Sequence, residues 1–223
     1  MPFSLSQLEH ANIDRRIYEI ITEQILTGKL APGTRLTEED VARQLGVSRT
    51  PVREAMKSLA KDELVELLPR KGMYVKKLEL QDVAEIYDIR AVLEELAVTL
   101  ATPRIPQAII DALRAGAETS REEITLGRKE ESQAFDRELH RCIAEHSGNR
   151  RLAATIESLG NMVNFFRTTV IARADEQIMQ ALEEHMVIIE AMAVRDTAAA
   201  AKAMKEHILH TRSNIMSTLG EES

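Results

Sequence analysis

Val41-Ala42-Arg43-Gln44-Leu45-Gly46-Val47-Ser48-Arg49-Thr50-Pro51-Val52-Arg53-Glu54-Ala55 reads as two short helices joined by one glycine turn. Thr37 caps the first. Glu38, Glu39 and Asp40 fill its dipole-favoured first turn, Val41, Ala42 and Leu45 form its buried stripe, and Gly46 ends it. Ser48 opens the second helix, where Pro51 falls in the first turn and sacrifices no hydrogen bond, and Val52, Ala55, Met56 and Leu59 form the apolar face. Helix, tight turn, helix is a helix-turn-helix layout. Upstream, Asp14 can cap a further helix with Ile17, Ile20, Ile21 and Ile25 at helical spacing, Gly28 at its end and the turn Ala31-Pro32-Gly33 after it. Downstream, Leu64 to Leu68 and Met73 to Val75 are β-capable runs around Pro69-Arg70-Lys71-Gly72, which predicts a hairpin and hence a winged helix.

On the second of the paired helices, Arg49, Arg53 and Lys57 recur every four residues and share a face offset from the apolar one. Such a face suits a major groove of double-stranded DNA. Arginine can pair with guanine O6 and N7, while Ser48, Thr50 and the first-turn amides suit phosphate oxygens. Arg70 and Lys71 at the hairpin tip can reach a neighbouring phosphate or minor groove, with Gly72 permitting close approach. The plain alternative is a solvated basic helix face. The net charge of −7 does not oppose the DNA reading, because residues 43–77 hold nine basic and four acidic side chains while residues 78–223 hold 16 basic and 25 acidic. Phosphate binding depends on the field within about a Debye length of the contact surface.

From Leu80 on, the pattern is helical, with breaks at 102–106, 147–149, 172–175 and 195–196, which predicts an all-α bundle of about six helices. Asp136 and His140 are four residues apart beside Phe135, Leu139 and Ile143, His185 sits among Leu182, Met186 and Ile189, and His207 among Ala203, Met204 and Thr211. Each lies on a core-facing stripe, and a divalent ion would satisfy all of them together, whereas an unsatisfied buried polar group costs about 1–3 kcal/mol. Three nitrogens and one oxygen suit Zn, Ni or Mn without naming one. Any one of these histidines alone reads as a hydrogen-bonded core residue. His10, His146 and His210 read as surface or structural, the single cysteine, Cys142, as packing, and Phe165-Phe166, Met162 and Met179 as core. With one cysteine, no apolar run approaching the ~18 residues of a membrane span, and an N-terminus without the basic-then-apolar layout of a signal peptide, the sequence points to a cytoplasmic protein and no membrane partner.

Two family resemblances add to this. Gly28 to Gly33, Leu36, Val41 to Ala55, Leu59, Leu64-Val65 and Gly72 to Val75 resemble the DNA-binding domain of GntR-type bacterial transcription regulators over residues 14–76. The resemblance implies operator contacts by Arg49 and Arg53 and a wing contact at Gly72. Glu39 stands where many members carry arginine, and Glu63 where glycine is common before the wing. Residues 80–218 resemble the helical FCD domain of the FadR-like branch, through Asp88-Ile89-Arg90 with Leu93-Glu94, Asp136, His140, Ser147-Gly148-Asn149, Glu184-His185 and Met204 with His207. That resemblance implies a metal held by Asp136, His140, His185 and His207 and a small carboxylate effector met by Arg90, whose other reading is an ion pair with Glu94. The expected architecture is mainly α: a winged helix-turn-helix domain over residues 1–76, a linker at 77–80 and an all-helical ligand-binding domain over 81–223. The expected function is a homodimeric, ligand-responsive DNA-binding regulator, in repressor form, and not an enzyme. A metal-sensing regulator and a metal-dependent hydrolase fused to a DNA-binding head are the alternatives.

Overall fold

The computed structural model describes residues 5–68, 71–77, 79–170 and 175–221. The chain divides into two compact units, one comprising Met1–Leu78 with Asn164–Thr169 and the other Glu79–Val163 with Val170–Ser223.

The first unit runs α1 (Leu5–Leu26), β1 (Arg35–Leu36), α2 (Glu38–Leu45), α3 (Arg49–Lys61), β2 (Val65–Leu68) and β3 (Gly72–Val75). Helix α1 extends further toward the N-terminus than Asp14, which lies inside it and accepts from the Arg15 backbone N–H at 2.8 Å. Thr37 caps α2 as expected, accepting from the Asp40 N–H at 3.1 Å, and Gly46 closes it in the left-handed conformation at φ 67°. Only glycine adopts that conformation without steric cost, which is why the turn into α3 can be so short. Ser48 occupies the N-cap position of α3 with extended backbone but makes no side-chain cap bond.

Strands β2 and β3 form the wing hairpin, with Val65 opposite Val75 and Leu68 opposite Gly72. The two-residue β1 adds on the other side of β3, so the antiparallel sheet has the order β1-β3-β2. Beneath these elements Ile17, Ile21, Ile25, Leu36, Val52, Met56, Leu59, Leu64 and Val75 close one apolar core. Full burial of a side chain such as Leu59 contributes about 1.5–3 kcal/mol. Glu63, before β2, has φ 54°. A left-handed turn is therefore kept here although the residue is not glycine.

The second unit holds α4 (Leu80–Ala101), α5 (Gln107–Thr125), α6 (Lys129–His146), α7 (Arg150–Val170) apart from Asn164–Thr169, α8 (Asp175–Ala193) and α9 (Thr197–Glu221). Glu79 and Asp82 start α4 with a reciprocal capping box. Helix α4 packs on α9 and α6, and α8 on α9, α5 and α6. Tyr87, Val98, Ile110, Leu139, Leu182, Ile188, Ile189 and Met204 lie at the centre of this unit, all fully buried. The breaks at 102–106, 147–149 and 195–196 fall between helices as expected, while most of 172–175 lies outside the described residues. One further break, Leu126-Gly127-Arg128, separates α5 from α6 and was not anticipated from the pattern. Among the described residues, no helix is long and apolar enough to cross a membrane.

Candidate functional site

Helix α3 turns Val52, Ala55, Met56 and Leu59 into the core, so Arg49, Arg53 and Lys57 face outward and are exposed. Ser48 and Thr50 are exposed at its start, Lys71 is exposed at the hairpin, and Gly72 is half-buried. Arg70 lies outside the described residues. The guanidinium of Arg35, from β1, covers Gly72 so closely that a Cβ there would meet Arg35 Nε at 3.4 Å. Arg49, Arg53 and Lys57 each have an acidic partner. Arg53 Nε and Nη2 donate to Glu38 Oε1 and Oε2 at 2.8 and 2.7 Å, Arg49 Nη2 donates to Glu39 Oε2 at 2.9 Å, and Lys57 Nζ to Glu54 Oε1 at 2.8 Å.

In the second unit, the four-residue spacing on α6 puts Asp136 and His140 on one buried face, opposite His185 of α8 and His207 of α9. One ligand atom from each of the four lies within 4.8 Å of all the others. His185 Nε2 is 3.1 Å from His207 Nε2 and 3.3 Å from Asp136 Oδ1, and His140 Nε2 is 3.9 Å from the same oxygen. His140 Nε2 is buried and has no hydrogen-bond partner among the described residues.

Two carboxylates stand behind this cluster. His140 Nδ1 donates to Glu94, and His207 Nδ1 donates to Glu184 Oε2 at 2.8 Å. With each Nδ1 carrying the proton, each Nε2 presents its lone pair inward, which is the tautomer a metal ligand needs. Burial, then the neighbouring His185, lowers the pKa of His207 to about 3, so this imidazole is neutral at pH 7. Burial alone would raise the Glu94 carboxyl, but Arg90 and His140 outweigh it and bring it to about 2. Glu184 is likewise held low against burial by its hydrogen bonds to His207 and His210.

The donor set fits a divalent cation. Ligand nitrogens 3.1 Å apart lie within the span of two ligands that each sit about 2.0–2.1 Å from a common ion, and the backing carboxylates are the usual outer partners of such imidazoles. Arg90 itself is buried. Its Nε donates to Glu94 Oε1 at 2.7 Å, so it stands behind His140 through Glu94. Cys142 is buried on the far side of α6 with its thiol pushed up by burial, and His146 bonds back to the Cys142 carbonyl at 2.8 Å. His210 is exposed and donates to Glu184 Oε1 at 2.8 Å. Met162 is buried and Met179 half-buried, while the side chains of His10, Phe165 and Phe166 lie outside the described residues. The sequence offered Glu94 as the ion-pair partner of Arg90, which the structure shows, and Glu184 beside His185 in the FCD resemblance, but not the contacts of Glu38 with Arg53, Glu94 with His140 and Glu184 with His207. Those contacts join residues 15 to 46 positions apart.

The comparisons with known proteins agree with both units. Residues 13–75 match the model of bacterial regulatory proteins of the gntR family, and residues 85–210 match the FCD domain. The HTH-type transcriptional regulator YdhC of Bacillus subtilis (strain 168) is 30% identical over 92% of this chain and 92% of its own. The HTH-type transcriptional repressor RspR of Escherichia coli (strain K12) is 28% identical over 95% of this chain and 92% of its own. Among solved structures, E. coli McbR/YncC superposes with a TM-score of 0.79 at 23% identity, covering 92% of this chain and 97% of that one, a likeness of fold. These families are regulators rather than enzymes, which removes the hydrolase alternative. The chain belongs to the GntR family of bacterial regulatory proteins, in the branch with an FCD domain, and is a DNA-binding transcriptional regulator.

Proposed function

We propose that this regulator is a homodimeric repressor whose helical unit binds a divalent cation through Asp136, His140, His185 and His207 and responds to a small organic acid. The observation that carries the reading is the buried four-donor cluster with carboxylates behind two of its imidazoles. When bound, the ion supplies positive charge and open coordination positions for a carboxylate. The protein's part is to fix the donors: Glu94 and Glu184 hold the rings of His140 and His207, and Arg90 keeps Glu94 ionised. Effector binding changes operator affinity to the extent that the acid prefers one arrangement of the regulator over another.

The repressor sign follows the name of the relative RspR. The homodimer follows from the small contact area of one winged helix, which a symmetric pair doubles on an inverted-repeat operator. Cytoplasmic location accords with a DNA partner. The test is elemental analysis of the purified protein followed by thermal-shift titration with a panel of organic acids, with and without Zn, Ni or Mn. A ligand that prefers the native state raises stability by RT ln(1 + [L]/Kd). Acid-dependent stabilisation that needs both the ion and His185 supports the reading. Protein that stays metal-free in all three ions overturns it, and stabilisation by acid that survives His185→Ala moves the effector elsewhere. Light scattering at micromolar concentration should give the dimer mass.

A further inference from the structure

The surface that would face DNA is closed upon itself by ion pairs between helices. Arg53 is held at two points by Glu38, and Arg49 at one point by Glu39, and both acids come from the first turn of α2. A carboxylate in that turn is stabilised where it stands by the helix dipole, so Glu38 is a fixed partner rather than a wandering one. Its carboxyl is held low first by the hydrogen bond from Arg53 and also by Arg49 and Lys57, so it sits in the field of the three cations on the outward face of α3.

The geometry decides what Arg53 can still do. Glu38 occupies the Nε–Nη2 edge of the guanidinium and leaves the outer Nη1–Nη2 end. That end has the spacing that spans guanine O6 and N7. A guanidinium restrained in this way can read a base end-on, whereas an unrestrained one swings to whichever phosphate is nearest, and phosphate contacts carry no sequence information. An adjacent carboxylate also cancels the charge that non-specific DNA would attract, so affinity for unselected sequence falls more than affinity for a matched site.

We propose that Glu38 and Glu39 are specificity-determining positioning residues of the DNA-binding surface, holding Arg53 and Arg49 for base readout and suppressing attachment to phosphates of unselected DNA.

The test uses the full chain and two duplexes: a 30-base-pair duplex of random sequence, and the duplex that the wild-type protein enriches from a randomised pool. Binding is followed by fluorescence anisotropy between 50 and 200 mM KCl for wild type, E38Q/E39Q and the control Glu23→Gln, an exposed acid of α1. For random DNA the salt slope of E38Q/E39Q should steepen by about 0.9 for each arginine released, which over this fourfold range is about a tenfold larger loss of affinity. At 50 mM KCl the double variant should bind random DNA more tightly than wild type, and its preference for the selected duplex should fall about tenfold. Glu23→Gln should move neither quantity.

A double variant with the same slope and preference as Glu23→Gln overturns the proposal. So does one that changes affinity for both duplexes by one common factor, as a purely structural role would. Glu38→Asp keeps the charge and shortens its reach by one methylene, so it should retain the wild-type slope on random DNA and lose preference. Undiminished preference in Glu38→Asp overturns the positioning role. All four proteins should unfold cooperatively and E38Q/E39Q should melt only slightly below wild type, since a carboxylate in the first turn of a helix contributes about 0.3–1 kcal/mol.

Discussion

Glu184 joins two histidines of α9, accepting from His207 Nδ1 with one oxygen and from His210 Nδ1 with the other, both at 2.8 Å. The first bond fixes the His207 ring with Nε2 toward the cluster and makes that nitrogen more basic toward a cation. Glu184→Gln should therefore weaken binding of Zn or Ni about 10- to 100-fold, the usual effect of losing an outer carboxylate. Competition against a chromophoric chelator measures it, with the neighbouring exposed Glu183→Gln as control. Equal affinity in the two variants would show that the carboxylate does not support a ligand.

For DNA, Arg49→Ala and Arg53→Ala should each weaken binding to the selected duplex by about five- to 150-fold, the range of a good bidentate base contact. Random-sequence DNA should also lose affinity, because each substitution leaves Glu39 or Glu38 unpaired on the same surface, so the fall in preference for the selected duplex is the measure of base reading. Undiminished operator affinity in both folded variants would remove α3 as the reading helix.

Arg90 and Glu94 form a buried pair with 6% and 2% of their side chains exposed. Removing one member of such a pair leaves an uncompensated charge and costs about 3–5 kcal/mol. Arg90→Met should therefore lower stability to urea by several kcal/mol and weaken metal binding as well, because Glu94 orients His140. If Arg90 serves only as an effector contact, the same variant loses acid binding while keeping its stability and its metal.

Much of this was readable in the sequence because its signals are local. Thr37, Gly46 and Pro51 define two helices within fifteen residues, and the i, i+4 pair Asp136 and His140 shares a face whatever surrounds it. The apolar stripes around His185 and His207 showed that each faces a core, and the FCD resemblance joined them to that pair. What stayed hidden depends on tertiary distance. That Glu94 serves His140 rather than solvent, and that Glu38 reaches across to Arg53, follows from helix packing and not from spacing. Arg90 and Glu94 look like an ordinary surface pair at i, i+4, and only burial between α4 and its neighbours makes them a costly one. The α5–α6 break rests on one glycine, Gly127 at φ 77°, amid otherwise helix-compatible residues, and carries too weak a pattern to be seen.

Glu63 keeps the turn before β2 left-handed at φ 54°, where an L side chain costs about 1–2 kcal/mol. Its compensation is the contact with Lys76 Nζ at 2.9 Å, but a half-exposed pair of this kind contributes at most about 1 kcal/mol. Glu63→Gly should melt at or above the wild-type temperature despite losing the ion pair. Glu63→Val, β-branched and unable to pair, should melt below it. The reverse order would mean that the Lys76 contact rather than the backbone governs this turn.

The metal-free cluster should also destabilise the fold on acidification. In the folded protein His207 has its pKa lowered to about 3 by burial and by His185, whereas in the unfolded chain an imidazole titrates near 6.5. Between those values the unfolded state binds a proton that the folded state refuses. The stability associated with a neutral His207 is therefore fully present above about pH 6.5 and is lost as pH falls toward 3, at about 1.4 kcal/mol per pH unit for one proton. Glu94 and Glu184, both held low, stay ionised above pH 5 and add no slope there. Urea denaturation of chelator-treated wild type and His207→Gln between pH 5 and 7 isolates the histidine, because every other group is common to both. Wild type should lose its advantage over the variant as pH falls. Parallel curves would mean that His207 takes up its proton in the folded state as readily as in the unfolded one, and that burial does not hold this ligand neutral.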